Sequence, residues 1–353
     1  MVVISADRLM KISVAAFKAA GCSEYEANRV SELLVLANLR GHDSHGAGIY
    51  IPRYIQRIRK GDFKVGAKVD IVNENPVMAL LNGNNGLGQV IATRGMEIAI
   101  EKAKNFGIGA VSIFNCNHIG RLADYASMAL KNDMIGFIVG NVGGKAVTPH
   151  GGRKGVFGTN PLCYAIPAGK EKPIIIDFAT SVFAGGKISM AIARNESLPN
   201  GVLIDSDGRP TTDPSKYFGN PRGAMLPFGD LVGYKGYGLC LMVDILGGAL
   251  SGQGCGSQAR GNGVFIMVID IAKFRPIEEF KSDVDRVILE CKNTPVLSDY
   301  VGLHGEREVL IPGELERRAE EKNRREGIYF PESLWTNIVK TTEEVGLDIR
   351  KIK

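Results

Sequence analysis

The sequence predicts an α/β protein with a largely buried mixed sheet, and two observations support this prediction. Between about residues 69 and 270, short apolar runs rich in β-branched residues alternate with helical or glycine-rich segments. On both sides of this region, apolar residues recur with the period of a helix. The chain has 353 residues, of which 44% are hydrophobic, so it can bury a substantial core without disulfides or a structural metal.

The first 70 residues predict helices. Ser5 precedes a periodic segment that stops at Gly21. Ser23 and Glu26 have the spacing of a capping box, and the helix that they begin should end near Gly41. A further helical segment, IPRYIQRIRKG, stops at residue 61. We therefore expect a helical N-terminal segment over residues 1–70.

The central region predicts the strands of the sheet and the helices between them. In chain order, the predicted strands are VDIVN, VMALLNG, GIGAVSIF, MIGFIVGN, LCYAIP, PIIIDF and GVFIMVID. The apolar segment from Tyr237 to Ser251 is shorter than the ~20 residues that span a bilayer and contains Asp244, which favours a buried core helix. We expect residues 71–304 to form the α/β core. Residues 305–353 should form a helical segment that packs against the N-terminal one.

Charge and cysteine content exclude several classes of protein. The 43 basic and 38 acidic residues leave a net charge of +5, which is too small and too dispersed for a nucleic-acid-binding protein. The six cysteines include no Cys-x-x-Cys pair, a pattern typical of reduced thiols. The N-terminal residues show no secretory signal. We expect a cytoplasmic protein that does not bind a membrane.

Common nucleotide-binding and metal-binding motifs are absent from the sequence. Neither Gly-x-Gly-x-x-Gly nor a P-loop occurs, so an ordinary Rossmann or P-loop protein has no motif support. His42 and His45 are three residues apart, but no third ligand follows at a suggestive spacing, and we expect no metal. Asp43, Ser44 and His45 are the residue types of a hydrolase triad. Consecutive residues cannot readily form such a relay, and no Gly-x-Ser-x-Gly elbow is present.

Three polar residues stand where strands end or helices begin. His118 follows the apolar run GIGAVSIF, where an imidazole is placed either for proton exchange or as a hydrogen-bonded structural residue. Asp177 comes directly after the apolar residues of PIIIDF and is either part of a ligand site or a helix cap. Lys235 lies among glycines before a predicted helix, a setting that suits an anionic group such as a phosphate but also a solvated loop.

Taken together, six segments resemble the malate/L-lactate dehydrogenase family, which is unrelated to the Rossmann-type enzymes. They occur in the family's order along most of the chain: RGHDSHG (40–46), NGNNGLGQ (82–89), NCNHIGR (115–121), FGTNPLCYAIP (157–167), IIIDFATS (174–181) and GYKGYGLCLMVDILGGALSG (233–252). The resemblance implies a family-specific, non-Rossmann NAD(P)-binding core. It also implies a homodimer whose active site lies close to the subunit interface.

The resemblance assigns roles to individual residues. His118 matches the general acid/base, and Ser44 and His45 match a pair near the substrate. The expected cofactor-binding residues are Gly143, Asp177, Phe178, Ala179 and Lys235. The cofactor is NAD or NADP, a choice that the sequence leaves open.

One departure from the family pattern concerns the substrate. Many relatives carry an arginine five positions after the serine of SHG, as the partner of the substrate carboxylate, whereas this chain has Ile49. The segment is one residue longer than the common pattern, so Arg53 or Tyr50 can take that place, and Arg53 is the expected substrate-binding residue.

The expected activity is NAD(P)-dependent interconversion of a small 2-hydroxy acid, of the malate, lactate or sulfolactate type, and its 2-oxo acid. Two alternatives stay open. One is reduction of a cyclic imine or a diketo acid on the same scaffold, and the other is a non-catalytic protein that senses a nucleotide or metabolite.

Overall fold

The computed structural model describes residues 2–302 and 305–352. These residues form ten α-helices: α1 (Ala6–Ala19), α2 (Glu24–Leu39), α3 (Ala47–Arg59), α4 (Gly88–Phe106), α5 (Ala123–Leu130), α6 (Gly185–Arg194), α7 (Gly233–Val243), α8 (Ile277–Lys292), α9 (Glu314–Glu326) and α10 (Glu332–Glu344). A π-helical segment, Asp244–Ala249, continues α7. The domain boundary expected at residue 304 lies outside the described residues.

Within the same ranges the strands are β1 (Val2–Ile4), β2 (Asp70–Glu74), β3 (Met78–Asn82), β4 (Ile108–Cys116), β5 (Met134–Val142), β6 (Pro161–Ile166), β7 (Ile174–Ala179), β8 (Leu203–Ile204), β9 (Pro210–Thr211), β10 (Ala224–Met225), β11 (Asn262–Asp270) and β12 (Ile328–Phe330). The main sheet has the order β2-β3-β4-β11-β5-β6-β7. Its β3–β4 pair is parallel and its other pairs are antiparallel. The expected α/β fold with a mixed sheet is confirmed.

Helix ends follow the signals in the sequence. Ser5 caps α1, and Ser23 and Glu26 form both hydrogen bonds of the capping box at α2. Helix α4 ends at Gly107, whose φ of 89° is left-handed and costs little without a Cβ. At Gly109, a Cβ would lie only 2.0 Å from the carbonyl oxygen of Ala99. Glycine there lets β4 pack directly against α4.

The two ends of the chain share one hydrophobic core. Strand β1 pairs with β12, and buried residues of α1, α2 and α3 pack against residues from the last thirty positions, including Phe330 and Ile338. A separate core lies under the sheet, where α4 and α5 cover β4, β5 and β11. The terminal helices therefore form a packed unit beside the sheet.

One edge of the sheet collects several strand ends. Asn262, the first residue of β11, pairs with Cys116 at the end of β4 and with Val142 at the end of β5. Pro161, the first residue of β6, pairs with Ala179 at the end of β7. This register brings together the segments that follow β4, β5 and β7, although they are far apart in the sequence.

The segment 237–251 is helical, but the expectation that it is buried is wrong in part. Cys240 and Val243 are buried, whereas Leu241, Ile245 and Leu250 are exposed. Leu231, just before α7, is exposed as well. In the described ranges, no helix is both long enough and apolar enough to span a bilayer.

Candidate functional site

A cavity of about 320 Å³ lies at the sheet edge that collects the strand ends. Its walls include His118 after β4, Gly143 after β5 and Asn262 at the start of β11. The N-terminal helices contribute His45 and Arg53. The cavity therefore lies between the sheet and the terminal helical unit, where α/β proteins commonly bind small ligands.

Two hydrogen bonds in series hold the imidazole ring of His118 in place. The hydroxyl oxygen of Tyr54 lies 2.6 Å from Nδ1 of His118. Gln89, which is fully buried, donates from Nε2 to the same oxygen over 2.8 Å. Tyr54 and Gln89 therefore fix the orientation of the imidazole ring, and Nε2 of His118 is left for a ligand.

Aromatic rings surround His118. The Tyr50 ring lies parallel to it, with 4.4 Å between centroids and 8° between planes, and the His45 ring stacks at 5.9 Å. Burial, assisted by the charges of His45 and Arg53, lowers the pKa of His118 to about 3. The imidazole is therefore neutral near pH 7, unlike a solvated histidine, whose pKa is about 6.5. A neutral imidazole can accept a proton there.

The segment GHDSHG forms a short turn that is fixed by Asn38. The Asn38 amide donates to Asp43 over 2.7 Å and accepts from the backbone N–H of Ala47, the first residue of α3, over 2.8 Å. A Cβ at Gly46 would lie 2.3 Å from the same side chain, so glycine is required there. The turn directs Ser44 and His45 into the cavity, with 3.1 Å between Ser44 Oγ and His45 Nδ1.

His42 binds a residue of α9. Its Nε2 lies 3.2 Å from a carboxylate oxygen of Glu316 on α9, and this hydrogen bond is the main reason why the pKa of Glu316 falls to about 2. Burial lowers the pKa of His45 to about 4. Among the described residues, no cluster of three or more His, Cys, Asp or Glu side chains could hold a metal ion.

The residues of α3 have two different surroundings. Ile49 is buried with 8% of its surface exposed and does not line the cavity, whereas Tyr50 and Arg53 do. The Arg53 guanidinium lies 5.6 Å from the centroid of the Tyr50 ring. A second arginine, Arg222, lines the same cavity and lies in the loop before β10. Sequence analysis missed Arg222 because no motif surrounds it.

A second cavity of about 250 Å³ adjoins the first and shares Ser44 and His45 with it. Asp177, Phe178 and Ala179 at the end of β7 line it. Asp177 accepts a hydrogen bond from the N–H of Ala123, the first residue of α5, over 2.8 Å. Burial raises the pKa of Asp177. Its carboxylate therefore caps a helix and also faces the cavity.

Two cations in this second cavity were not identified from the sequence. Arg121 is 7% exposed and pairs with Asp124 over 3.3 Å, but its Nε–H is buried without a hydrogen-bond partner. Lys187 at the start of α6 is exposed and also lines the cavity. A buried donor without a partner is costly unless a ligand accepts its hydrogen bond.

These observations fit a nicotinamide coenzyme. Two adjoining cavities have room for a reacting ring beside His118 and for an anionic portion beside Arg121 and Lys187. Glycines line the passage, among them Gly120, Gly143 and Gly144, which allow close backbone approach. Lys235 lines neither cavity; it is exposed on α7, so the structure does not bring it to the other site residues.

Comparisons with known proteins identify the family of this chain. The malate/L-lactate dehydrogenase family profile matches residues 4–339. This chain belongs to that family. The malate/(S)-sulfolactate dehydrogenase of Methanothermus fervidus is 38% identical to it over 98% of this chain and 99% of its own length. A solved structure of sulfolactate dehydrogenase from Methanocaldococcus jannaschii superimposes with a TM-score of 0.89, 34% identity and 99% coverage of both chains.

A second solved structure, malate dehydrogenase from Entamoeba histolytica, is 28% identical with a TM-score of 0.91 and covers 98% of this chain and 99% of its own. The family resemblance carried by the six sequence segments is therefore confirmed, as is the family-specific fold. The chain is a dehydrogenase, and membership of this malate/L-lactate dehydrogenase family implies a nicotinamide coenzyme.

Proposed function

We propose that this member of the malate/L-lactate dehydrogenase family interconverts a small 2-hydroxy acid and its 2-oxo acid with NAD or NADP. The observation that carries the proposal is a neutral, oriented imidazole in the first of two adjoining, ligand-sized cavities. The coenzyme, when bound, accepts a hydride from the carbinol carbon or returns one to the carbonyl carbon.

His118 supplies the proton transfer. In oxidation, Nε2 accepts the proton of the substrate hydroxyl, and in reduction the imidazolium returns a proton to the carbonyl oxygen. The tautomer with Nε2 unprotonated has its hydrogen on Nδ1, which donates to Tyr54 over 2.6 Å. The same hydrogen bond stabilises the imidazolium once it forms. Tyr54 is thus a positioning residue that acts through His118.

The other predicted residues divide between the two ligands. Ser44, His45 and Arg53 bind the substrate, because all three line the cavity that contains His118. Asp177, Phe178 and Ala179 bind the coenzyme from the adjoining cavity. Gly143 contributes backbone to the coenzyme site from the wall of the His118 cavity.

The proposed homodimer is supported by exposed apolar residues on and beside α7. Leu231, Leu241, Ile245 and Leu250 are exposed, and Leu231 has 93% of its surface accessible. Lys235 lies on the same helix. A lysine on an interface helix can reach a partner's coenzyme, which reconciles its predicted role with its distance from its own chain's cavities. Sedimentation of the protein at equilibrium tests for the dimer.

The predicted cytoplasmic location is supported by the cysteines. All six are free thiols, and four of them are buried. Free thiols are typical of proteins in a reducing compartment.

The test of the activity is a spectrophotometric assay with purified protein. NADH and NADPH are each offered with a panel of 2-oxo acids, and we expect oxidation of at least one coenzyme in the presence of a 2-oxo acid. Cyclic imines and diketo acids form a second panel. Turnover confined to that second panel favours the alternative reductase, and no turnover with either panel contradicts the proposed function.

A further inference from the structure

Gln89 is a fully buried polar residue in the first turn of α4, and it contacts the tyrosine that holds His118. Two features fix its backbone. A Cβ at Gly88 would collide with the carbonyl oxygen of His118, so the start of α4 packs directly against the backbone of that residue. Thr93 donates from Oγ1 to the carbonyl oxygen of Gln89 over 2.7 Å. The Gln89 side chain is therefore held within hydrogen-bonding distance of the Tyr54 hydroxyl.

The Tyr54 hydroxyl has one proton and two side-chain partners. Its oxygen lies 2.8 Å from the Gln89 amide and 2.6 Å from Nδ1 of His118. A further acceptor, the carbonyl oxygen of His118, is 3.5 Å away, which is too far for a strong hydrogen bond. The hydroxyl group therefore donates to one of the two side chains and accepts from the other.

These contacts allow two directions for the hydrogen bonds, and each direction goes with one neutral tautomer of His118. If the Gln89 amide donates from its nitrogen, as in the structure, Tyr54 donates to Nδ1 and the imidazole carries its proton on Nε2. If the amide accepts through Oε1, Tyr54 donates to Gln89 and receives the Nδ1 proton, so that Nε2 of His118 is unprotonated. Only the second arrangement can accept the proton of a substrate hydroxyl.

The Gln89 amide changes between these arrangements by half a turn about its last bond. Within residues 2–302 and 305–352, Oε1 of Gln89 is buried and has no hydrogen-bond partner. After the turn, Oε1 accepts from Tyr54, and the amide nitrogen occupies the former place of Oε1. The turn exchanges one hydrogen bond to Tyr54 for another, so the two orientations differ little in free energy.

We propose that Gln89 is a positioning residue that sets the tautomer of His118 through the Tyr54 hydroxyl. Both orientations of the amide are populated in the free enzyme, and the one with Oε1 toward Tyr54 gives the imidazole that can accept a proton. The change moves protons between Tyr54 and His118 and alters no bond between heavy atoms. The effect of Gln89 on turnover rests on the proposed function, whereas its effect on the tautomer does not.

A purely structural role for Gln89 predicts a different behaviour. If the amide only held the Tyr54 ring in place, His118 would have one tautomer with or without the amide. Tyr54 already packs against the rings of Phe17 and Phe63, with centroids 6.4 Å and 5.3 Å away. The ring therefore keeps its place when the amide is removed, and the two roles can be separated by experiment.

The test is the ¹⁵N NMR spectrum of the full-length protein, labelled in its histidines, near pH 8, where His118 is neutral. Protonated and unprotonated nitrogens of a neutral imidazole have well-separated shifts, and His118→Gln identifies the signals of His118 among the five histidines. We expect both tautomers in the unmodified protein. In Gln89→Leu, Nδ1 is the nearest acceptor left for the Tyr54 proton, so we expect the tautomer with the proton on Nε2.

Gln56→Leu is the matched control, because it removes an exposed amide of α3 and should leave the tautomers unchanged. Circular dichroism establishes that each variant is folded, and Gln89→Met, which is unbranched like glutamine, replaces Gln89→Leu if the latter does not fold. A single tautomer of His118 in the unmodified protein would overturn the proposal. Equal tautomer populations in the unmodified protein and in Gln89→Leu would overturn it as well.

Steady-state rates give a second test. In oxidation of a 2-hydroxy acid, Gln89→Leu should lower kcat by about 3–10-fold with little change in KM, since one neutral hydrogen bond no longer stabilises the accepting tautomer. In the Tyr54→Phe background, the same substitution should change kcat by less than about twofold, because the amide acts on His118 only through the hydroxyl. Losses that multiply in the double variant would contradict this coupling. If no 2-hydroxy acid is oxidised, the proposed function is wrong, and the NMR spectra still decide between the two roles of Gln89.

Discussion

The surroundings of His118 and those of Asp177 differ sharply although their cavities adjoin. His118 is packed against the rings of Tyr50 and His45, and burial keeps it neutral. Asp177 faces Arg121 and Lys187, and charge is abundant around it. The difference shows how one small site can separate two tasks, because proton transfer benefits from a group that can gain charge, while anion binding needs charge that is permanent.

The largest effect should come from removing the imidazole. His118→Ala should lower kcat by about 10²–10⁴-fold, the usual contribution of general acid–base catalysis. Coenzyme binding should persist, because Arg121 and Lys187, the cations that would hold the coenzyme, line the adjoining cavity. Steady-state rates and quenching of protein fluorescence by coenzyme measure the two effects. If His118→Ala retains full turnover, His118 has no part in the mechanism.

The hydrogen bond behind the imidazole should have the next largest effect. Tyr54→Phe removes the oxygen that accepts the Nδ1 proton of the imidazolium, so we expect kcat to fall by about 10-fold with little change in KM. The acidic limb of the pH profile should move to lower pH, because the protonated ring loses a partner. Tyr50→Phe is the control: it keeps the stacked ring, and we expect a smaller loss with no such shift. A raised KM with unchanged kcat would argue for a direct substrate contact instead.

Lys187 lines the cavity that contains Asp177. Lys187→Gln should raise KM for the coenzyme by about 3–10-fold and leave kcat nearly unchanged, as expected for one partly solvated cation near an anion. The effect should shrink at high salt because the lysine is exposed. Lys170→Gln, at an exposed position that lines neither cavity of the site, is the control. A loss of kcat in Lys187→Gln, with coenzyme KM unchanged, would place Lys187 in the chemical step.

The smallest effect concerns stability and pH. His45 and His118 have pKa values of about 4 and about 3 in the folded protein, below the ~6.5 of an unfolded chain. Between these values the unfolded state binds more protons, so the free energy of unfolding should decrease as pH falls from about 6.5 toward 4. Thermal unfolding at pH 7 and pH 5 measures the slope. The double variant His45→Gln/His118→Gln should flatten it, whereas His150→Gln, at an exposed position outside the cavities, should not.

Much of the fold follows from short-range signals. The capping box at Ser23 and Glu26 and the stop near Gly41 mark the two ends of α2, which the sequence alone predicts correctly. The burial of the apolar helix around Leu241 was harder to predict. Composition does not distinguish an apolar residue that is buried in its own chain from one that stays exposed. That distinction depends on which surfaces the rest of the fold leaves uncovered.

The site was only partly predictable for the same reason. His118 stands after a strand, a local signal, and the family segments mark Ser44, His45 and Asp177. Arg222 and Lys187 carry no local signal, and Lys235, which has one, lies on an exposed helix away from both cavities. Local sequence reports the residue type and the element, but not which distant elements meet.

The sequence by itself determined the alternation of helices and strands, the family and the imidazole available for proton transfer, since periodicity, caps and motifs act over a few residues. Only the tertiary structure decided that Tyr54 would support His118 from 64 positions away and that burial would keep the imidazole neutral. It also decided that two arginines, 169 positions apart, would line one cavity. Proximity and desolvation arise from long-range packing, which no single segment encodes.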